Sequence, residues 1–217
     1  RFEQIKRYNT FSDADSVDHA KFGADLLFKD GLISTFLKGM VKCTGYKPGA
    51  LEDRYDSDGV FLYDRLNKSD MEMLELSIRC HNMYRIPQGL NRREQAFCNV
   101  LRDADKVDIF KVNIDTPLEE IYNTTTEELM KSDITDEVLK AFDEEHCILK
   151  AIRRTPADTV IGHVSLAYEL VYDESVRQAV KQGYLDKMLA FESDNPDTQR
   201  KMKEVNRIMK EYISERL

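Results

Sequence analysis

Apolar residues recur at intervals of three and four positions along most of the chain, which is the spacing of helices that bury one face. In the segment 17–29 this face carries Ala20, Ala24, Leu27 and Phe28. The last predicted helix has a longer apolar stripe, made of Met202, Val205, Ile208, Met209, Tyr212 and Ile213. The sequence has no alternating pattern of the length that a strand needs. The hydrophobic pattern therefore predicts an all-α protein.

Capping residues and prolines predict where the helices begin. Ser16 is placed to cap the helix over 17–29, and Ser69 with Glu72 forms a capping box at the start of another helix. Between these two helices we expect a short helix and an exposed loop, over 31–40 and 43–61. Further starts are predicted at Asn91, Thr116-Pro117, Thr135, Thr155-Pro156, Glu174 and Asn195-Pro196.

The segment 96–110, AFCNVLRDADKVDIF, has the pattern of a buried helix but contains three aspartates. At about 100° per residue, its apolar arc consists of Phe97, Val100, Leu101, Ala104 and Val107. Asp108 falls inside that arc, Asp105 on its flank and Asp103 on the far side, where a solvated or ion-paired role is expected. Because an isolated buried charge is costly, a carboxylate that faces a core must be paired, hydrogen-bonded or bound to metal. The sequence therefore predicts that a cation, a hydrogen-bond donor or a metal ion meets the inward-facing carboxylate of this helix.

Composition narrows the class of protein. Charged residues make up 33% of the chain and apolar residues 41%, which suits a globular protein and argues against disorder. The net charge of −8 gives no general reason to bind nucleic acid duplexes or anionic membranes. No apolar segment approaches the roughly 18 residues of a membrane span. The four cysteines have no CxxC spacing, so we expect reduced thiols and a cytoplasmic location.

Two histidines lie on helices that could pack beside the aspartate-rich segment. His19 is early in its helix, and His81 is followed by Asn82 near the end of another. Imidazole nitrogens and carboxylate oxygens together suit a divalent ion such as Mn²⁺, Fe²⁺, Ni²⁺ or Zn²⁺. Taken alone, a histidine on a helix is more often a surface or hydrogen-bonded residue. By the same reasoning His146 belongs to a solvated acidic face, and His163 to packing or a hydrogen bond at a helix flank.

Four segments agree in order and spacing with the HD-domain metal-dependent phosphohydrolases. "RDADKVDIF" is similar to the last motif of that family, and "VDHAKFGADLL" resembles its segment with a histidine before Gly-Ala. "IRCHNMYRIPQGL" resembles the His-His segment of the branch that includes the cyclic-dinucleotide phosphodiesterases, with Asn82 in place of the second histidine. "RFEQ" resembles the residues directly after the His-Asp doublet in an uncharacterised group of HD hydrolases. The family's first histidine and this doublet are expected upstream of Arg1.

The resemblance implies a fold, an ion and a set of site residues. It implies an HD-like helical bundle over 1–112 within a single helical domain, with a C-terminal helical extension over 113–217 packed on it. It implies a divalent metal ion (Mn, Fe, Ni, Zn, Co or Mg) with Asp105 as ligand and catalytic residue. It also implies that the metal ligands His19 and His81 complete a second-metal or phosphate-contacting position.

Four further residues are candidates for supporting roles. Lys106 and Arg102 are candidates to neutralise phosphate charge, Lys106 as a catalytic residue, although a salt bridge to Asp103 or Asp108 would explain them equally well. Asn82 is a candidate substrate contact. Asp108 is a candidate to orient a metal ligand from behind.

Three classes of function remain open at this point. The first is a metal-dependent phosphohydrolase that uses a metal-activated water on a small phosphorylated substrate, with a nucleotide as the expected case. The second is a degenerate HD protein that binds a nucleotide or a protein partner without turnover. The third is a helical interaction module whose histidines and aspartates are structural. The preferred interpretation of the apolar stripe of the last helix is a contact with the core, and the alternative is a homodimer contact.

Overall fold

The computed structural model describes residues 2–9, 13, 16–33, 35 and 68–217. These residues form helices, turns and irregular connections, and none of them belongs to a strand. The all-α prediction is therefore confirmed. The chain divides into two compact units, Arg1–Leu101 and Arg102–Leu217. This division falls inside a helix and eleven residues before the boundary expected from the resemblance.

In its described residues, the first unit contains three helices and the start of a fourth. Helix α1 is Phe2–Tyr8, α2 is His19–Ala24 and continues as a π-helical turn over Asp25–Lys29, α3 is Lys68–Cys80, and α4 is Arg92–Asp115. The predicted helix over 31–40 and the loop over 43–61 fall largely outside the described residues.

The second unit contains the rest of α4 and shorter helices before a long last one. They are α5 Leu118–Tyr122, α6 Thr126–Lys131, α7 Asp136–Asp143, α8 Pro156–Val164, α9 Asp173–Gln182, α10 Tyr184–Leu189 and α11 Pro196–Arg216. Short 3₁₀ turns cover Lys150–Ile152 and Ser165–Glu169. Among the helices that the structure describes, none is both long enough and apolar enough to cross a lipid bilayer.

Four of the predicted helix starts are confirmed by capping hydrogen bonds. Asn91 Oδ1 accepts from the backbone amides at the start of α4, and Thr135, Thr155 and Asn195 cap α7, α8 and α11. The prediction for α2 was wrong, because Asp18 rather than Ser16 is its cap.

Two other predictions of helix bounds were wrong. The predicted capping box at Ser69 lies inside α3, which begins at Lys68. The helix predicted from Glu174 to Phe191 is interrupted at Gly183, where a φ of 71° is a left-handed conformation that ends α9.

The first unit is organised by the packing of α2 on α3. Ala20 and Ala24 are completely buried, so their small side chains let the two helices approach closely. Arg79 of α3 holds Asp25 at 2.6 Å, which fixes the end of α2 against the same helix. As a result, the first residue of α2 and the first residue after α3 lie close together.

The second unit has its own apolar core. Helix α11 packs on α7, and α8 packs on α6, α7 and α10. The largest fully buried apolar side chains of this unit include Phe110, Phe142, Ile134, Ile148, Ile161, Met202 and Met209. The apolar stripe predicted for the last helix therefore faces this core, with Tyr212 and Ile213 at its edge.

Candidate metal centre

His19 and His81 present the same ring nitrogen to each other. Their Nε2 atoms are 3.0 Å apart, and the two rings meet edge to face at 77°. His19 opens α2 and His81 directly follows α3, so the packing of these helices creates the contact. The His19 side chain is only 8% exposed. The structure thus brings these two predicted site residues together.

Nδ1, the other nitrogen of each ring, bonds to an oxygen that can only accept a hydrogen bond. His19 Nδ1 lies 2.7 Å from Asp13 Oδ2 and 3.0 Å from Asp13 Oδ1. His81 Nδ1 lies 2.7 Å from the backbone carbonyl oxygen of Ile78. A carboxylate and a carbonyl have no proton to give, so each Nδ1 must carry a proton and donate it. In the neutral rings, both Nε2 atoms are therefore unprotonated.

Two unprotonated nitrogens at 3.0 Å repel each other unless a cation lies between them. A shared proton or a divalent ion would remove this repulsion. Nitrogen ligands about 2.0–2.1 Å from an ion such as Zn²⁺, at bond angles of roughly 90–110°, are themselves about 2.9–3.4 Å apart. The observed separation falls in that range. His19 and His81 therefore fit two adjacent ligands of one divalent ion.

Two carboxylates beside this pair were missed by the sequence reasoning. Asp13, Asp18 and His19 each place one potential ligand atom within 4.8 Å of the others. Asp18 Oδ1 accepts from the backbone amides of Ala20 and Lys21 as the cap of α2. Burial would raise the pKa of Asp18, but hydrogen bonds from Lys21 and Asn82 outweigh it and lower the pKa to about 2. Both carboxylates make the surroundings of His19 favourable for a cation.

Asn82 joins the same cluster through its side-chain amide. Its Nδ2 donates to Asp18 Oδ1 at 3.0 Å and lies 3.4 Å from Asp13 Oδ2. The amide hydrogens therefore hold the two carboxylates together. The substrate contact predicted for Asn82 stays a prediction.

The other predicted site residues belong to the second unit. Arg102 and Lys106 lie one turn apart on α4, and both are buried. Arg102 Nη2 is 3.6 Å from Glu169 Oε2, an ion-pair partner that the sequence did not indicate. Burial and the neighbouring Arg102 lower the pKa of Lys106. Asp105 is partly buried, and its role as a ligand and the phosphate contacts of Arg102 and Lys106 stay predictions.

The angular assignment of the other two aspartates was wrong. Asp103, expected on the outer side, is 1% exposed and accepts from the backbone amides of Val171 and Tyr172 at 3.0 Å. Asp108, expected toward the core, is exposed. The supporting role predicted for Asp108 thus loses the inward orientation on which it was based.

The remaining two histidines behave as expected from the sequence. His146 is exposed, and its Nε2 is 3.1 Å from Glu144 in the acidic segment. His163 Nδ1 bonds to Asn113 within the second unit. Neither ring faces another imidazole among the described residues.

The residues around His19 carried little signal in the sequence. Asp18 directly before a helical segment is a standard cap signal, but Ser16 competed with it. The bond from Asp13 to His19 joins residues six positions apart that share no helix, and no periodic pattern encodes that spacing. Comparisons with family models, curated proteins and solved structures find no match for the chain.

Proposed function

We propose that this chain is a metal-dependent phosphohydrolase of the HD type, acting on a nucleotide or another small phosphate ester. The observation that carries the proposal is the 3.0 Å contact between the Nε2 atoms of His19 and His81, whose Nδ1 atoms bond to acceptor oxygens. The resemblance of the four motif segments supports the reaction class. The negative charge of Asp13 and Asp18 beside the pair favours a cation there.

The residues of this chain would prepare the centre for a divalent ion. His19 and His81 supply two neutral nitrogen ligands whose orientations are fixed through their Nδ1 hydrogen bonds. A divalent ion bound there lowers the pKa of a coordinated water and polarises a phosphoryl oxygen. The protein must also hold the substrate phosphate, and the candidates from the sequence for this role are Arg102, Lys106 and Asn82.

The proposal is tested with full-length protein that has been stripped of metal. Mn²⁺, Mg²⁺, Co²⁺, Fe²⁺, Ni²⁺ and Zn²⁺ are added one at a time, and release of phosphate or nucleoside is measured. The panel contains nucleoside monophosphates, polyphosphorylated nucleotides and simple phosphate mono- and diesters. We expect metal-dependent hydrolysis that is lost in His81→Ala and in Asp105→Ala. His146→Ala is the matched control and should keep the wild-type rate, because His146 is an exposed histidine outside the centre.

Three outcomes would contradict the proposal. Metal binding at His19 and His81 without any turnover would favour the class that binds a nucleotide or partner without hydrolysis. Failure of wild-type protein to bind any of these ions would favour the interaction module with structural histidines. Loss of activity in His146→Ala would place the hydrolytic centre elsewhere.

A further inference from the structure

We propose that Asp13 and Gln4 are positioning residues that select the metal-binding tautomer of His19. This inference rests on the proposed metal centre. It concerns two residues that do not touch the facing Nε2 atoms but control which nitrogen of His19 carries the proton. Their effect on His19 passes through a series of hydrogen bonds that begins at the backbone carbonyl of Val17.

The first step in this series is the orientation of the Gln4 amide. Gln4 lies on α1 and is completely buried. Its Nε2 donates to the backbone carbonyl of Val17 at 3.0 Å, and Ser16 Oγ lies 2.9 Å from the same nitrogen. A flipped amide would turn its oxygen toward the Val17 carbonyl, where two acceptors would repel each other. The Val17 carbonyl thus keeps the NH₂ group of Gln4 on this side.

The same NH₂ group then fixes the neighbouring carboxylate. Gln4 Nε2 donates to Asp13 Oδ1 at 3.0 Å. His19 Nδ1 lies 2.7 Å from Asp13 Oδ2 and 3.0 Å from Oδ1, so Oδ2 is its closer acceptor. Gln4 requires an acceptor at Oδ1, and the carboxylate offers another acceptor to His19. The proton of neutral His19 is therefore held on Nδ1, which leaves the Nε2 lone pair toward His81.

Asp13→Asn changes this arrangement with almost no change of shape. Gln4 favours the oxygen of the new asparagine at the position of Oδ1, so the NH₂ group takes the position of Oδ2, the atom closer to His19 Nδ1. A donor at that place favours the tautomer with the proton on Nε2, since replacing an aspartate beside an imidazole by asparagine can select the wrong tautomer. A proton on Nε2 blocks the lone pair that would bind the ion. The expected loss of metal affinity is about 10–100-fold, as for other outer partners of metal-bound histidines.

Gln4 provides a rescue that a merely structural role would not produce. In Gln4→Met the donor to Asp13 is absent, and metal affinity should fall by only about 3-fold because the carboxylate still accepts from His19. In the double variant, the asparagine at position 13 can rotate its oxygen toward His19 Nδ1. The double variant should therefore bind metal more tightly than Asp13→Asn alone.

Asp18→Asn is the matched control. It removes one negative charge from the same cluster, but the carboxylate of Asp18 caps α2 through the backbone amides of Ala20 and Lys21. Asparagine is an equally good helix cap. Its loss of metal affinity measures the effect of one lost charge, so a larger loss in Asp13→Asn reports the hydrogen bond to the imidazole.

The experiment combines metal titration with ¹⁵N NMR of the histidine side chains in metal-free protein. Thermal melting confirms that each variant is folded. We expect His19 to carry its proton on Nδ1 in the wild type and in Asp18→Asn, and on Nε2 in Asp13→Asn, with partial return to Nδ1 in the double variant. An unchanged tautomer in Asp13→Asn, or a double variant that binds no better than Asp13→Asn, would overturn the inference. Wild-type protein that binds no ion would instead overturn the proposed function, while the tautomer measurement would still decide the role of Asp13.

Discussion

His19 of the first unit and His163 of the second are both tied through Nδ1 to a side-chain oxygen, yet their surroundings differ. His19 bonds to the carboxylate of Asp13 and faces another imidazole through Nε2. His163 bonds to Asn113 Oδ1 at 2.8 Å and stacks on Tyr122, whose hydroxyl donates to the same oxygen at 2.7 Å. The hydrogen bond made by Nδ1 therefore does not by itself distinguish a metal ligand from a structural histidine.

The charges around the two rings explain the difference. Burial, together with the nearby cations Arg153 and Lys150, lowers the pKa of His163 to about 3. These cations would repel a metal ion as they repel a proton. The carboxylates of Asp13 and Asp18 have the opposite effect at His19. Under the proposed function, the sign of the neighbouring charge and the group that faces Nε2 therefore distinguish the ligand His19 from the structural His163.

His81→Ala, which removes the imidazole that faces His19, and His163→Ala should separate the two roles most strongly. His81→Ala should weaken metal binding by more than about 100-fold, because one of two facing nitrogens is lost. His163→Ala should leave metal affinity unchanged and lower the free energy of unfolding by about 2 kcal/mol, through lost packing and a lost hydrogen bond. Calorimetric titration and urea unfolding measure both effects. If His81→Ala bound metal as tightly as the wild type, the distinction between a metal-binding histidine pair and the structural His163 would be lost.

Acid should reveal His163 as a histidine that the fold keeps neutral. Its folded pKa of about 3 lies below the ordinary value of 6.5. The unfolded chain therefore binds more protons, so this stability is present above pH 6.5 and is lost as the pH falls toward 3. Between pH 6.5 and about pH 4.5 the free energy of unfolding should fall by an amount on the order of 2 kcal/mol.

His163→Asn is the control for this pH dependence. Its amide nitrogen can donate to Asn113 Oδ1 in place of Nδ1, but it does not titrate. The difference between wild type and variant, measured by urea unfolding at each pH, isolates His163 from the carboxylates. A difference that does not change with pH would show that His163 is accessible to protons in the folded protein.

Tyr122→Phe should weaken the second network without breaking it. The variant removes the hydroxyl that donates to Asn113 Oδ1, while His163 still satisfies that oxygen. We expect the free energy of unfolding to fall by about 1 kcal/mol. Urea unfolding measures this, and a loss above about 3 kcal/mol would mean that the hydroxyl has a larger role than one shared acceptor.

Asn82→Ala should have the smallest effect on the first cluster. Its amide hydrogens bond to Asp18 and approach Asp13, so their loss loosens the carboxylates without removing a bond to His19. Metal affinity should fall by no more than about threefold. A loss of tenfold or more in a metal titration would show that the amide of Asn82 itself contacts the ion.

Local signals predicted the parts of the fold that depend on nearby residues. The caps at Asn91, Thr135 and Thr155 were predicted correctly because each depends on amides within one turn. The buried side of α4 was not predicted. Phe97 and Val100, placed on its inner arc, are 42% and 58% exposed.

The buried polar side chains show the same division between local and distant partners. Asp103 can be buried because two backbone amides some 70 residues along the chain satisfy it, at Val171 and Tyr172. His19 and His81 were identified by the motif resemblance, but Asp13 and Gln4 were not. Their contacts join residues that share no helix, and helical periodicity does not describe such contacts.

The most direct test of the metal centre is anomalous diffraction from crystals soaked in Mn²⁺ or Co²⁺. We expect a peak about 2.0–2.4 Å from Nε2 of both His19 and His81, and none beside His163 or His146. A peak bound only by the carboxylates of Asp13 and Asp18, or no peak at the histidine pair in protein that is saturated with ion, would contradict the assignment of this centre.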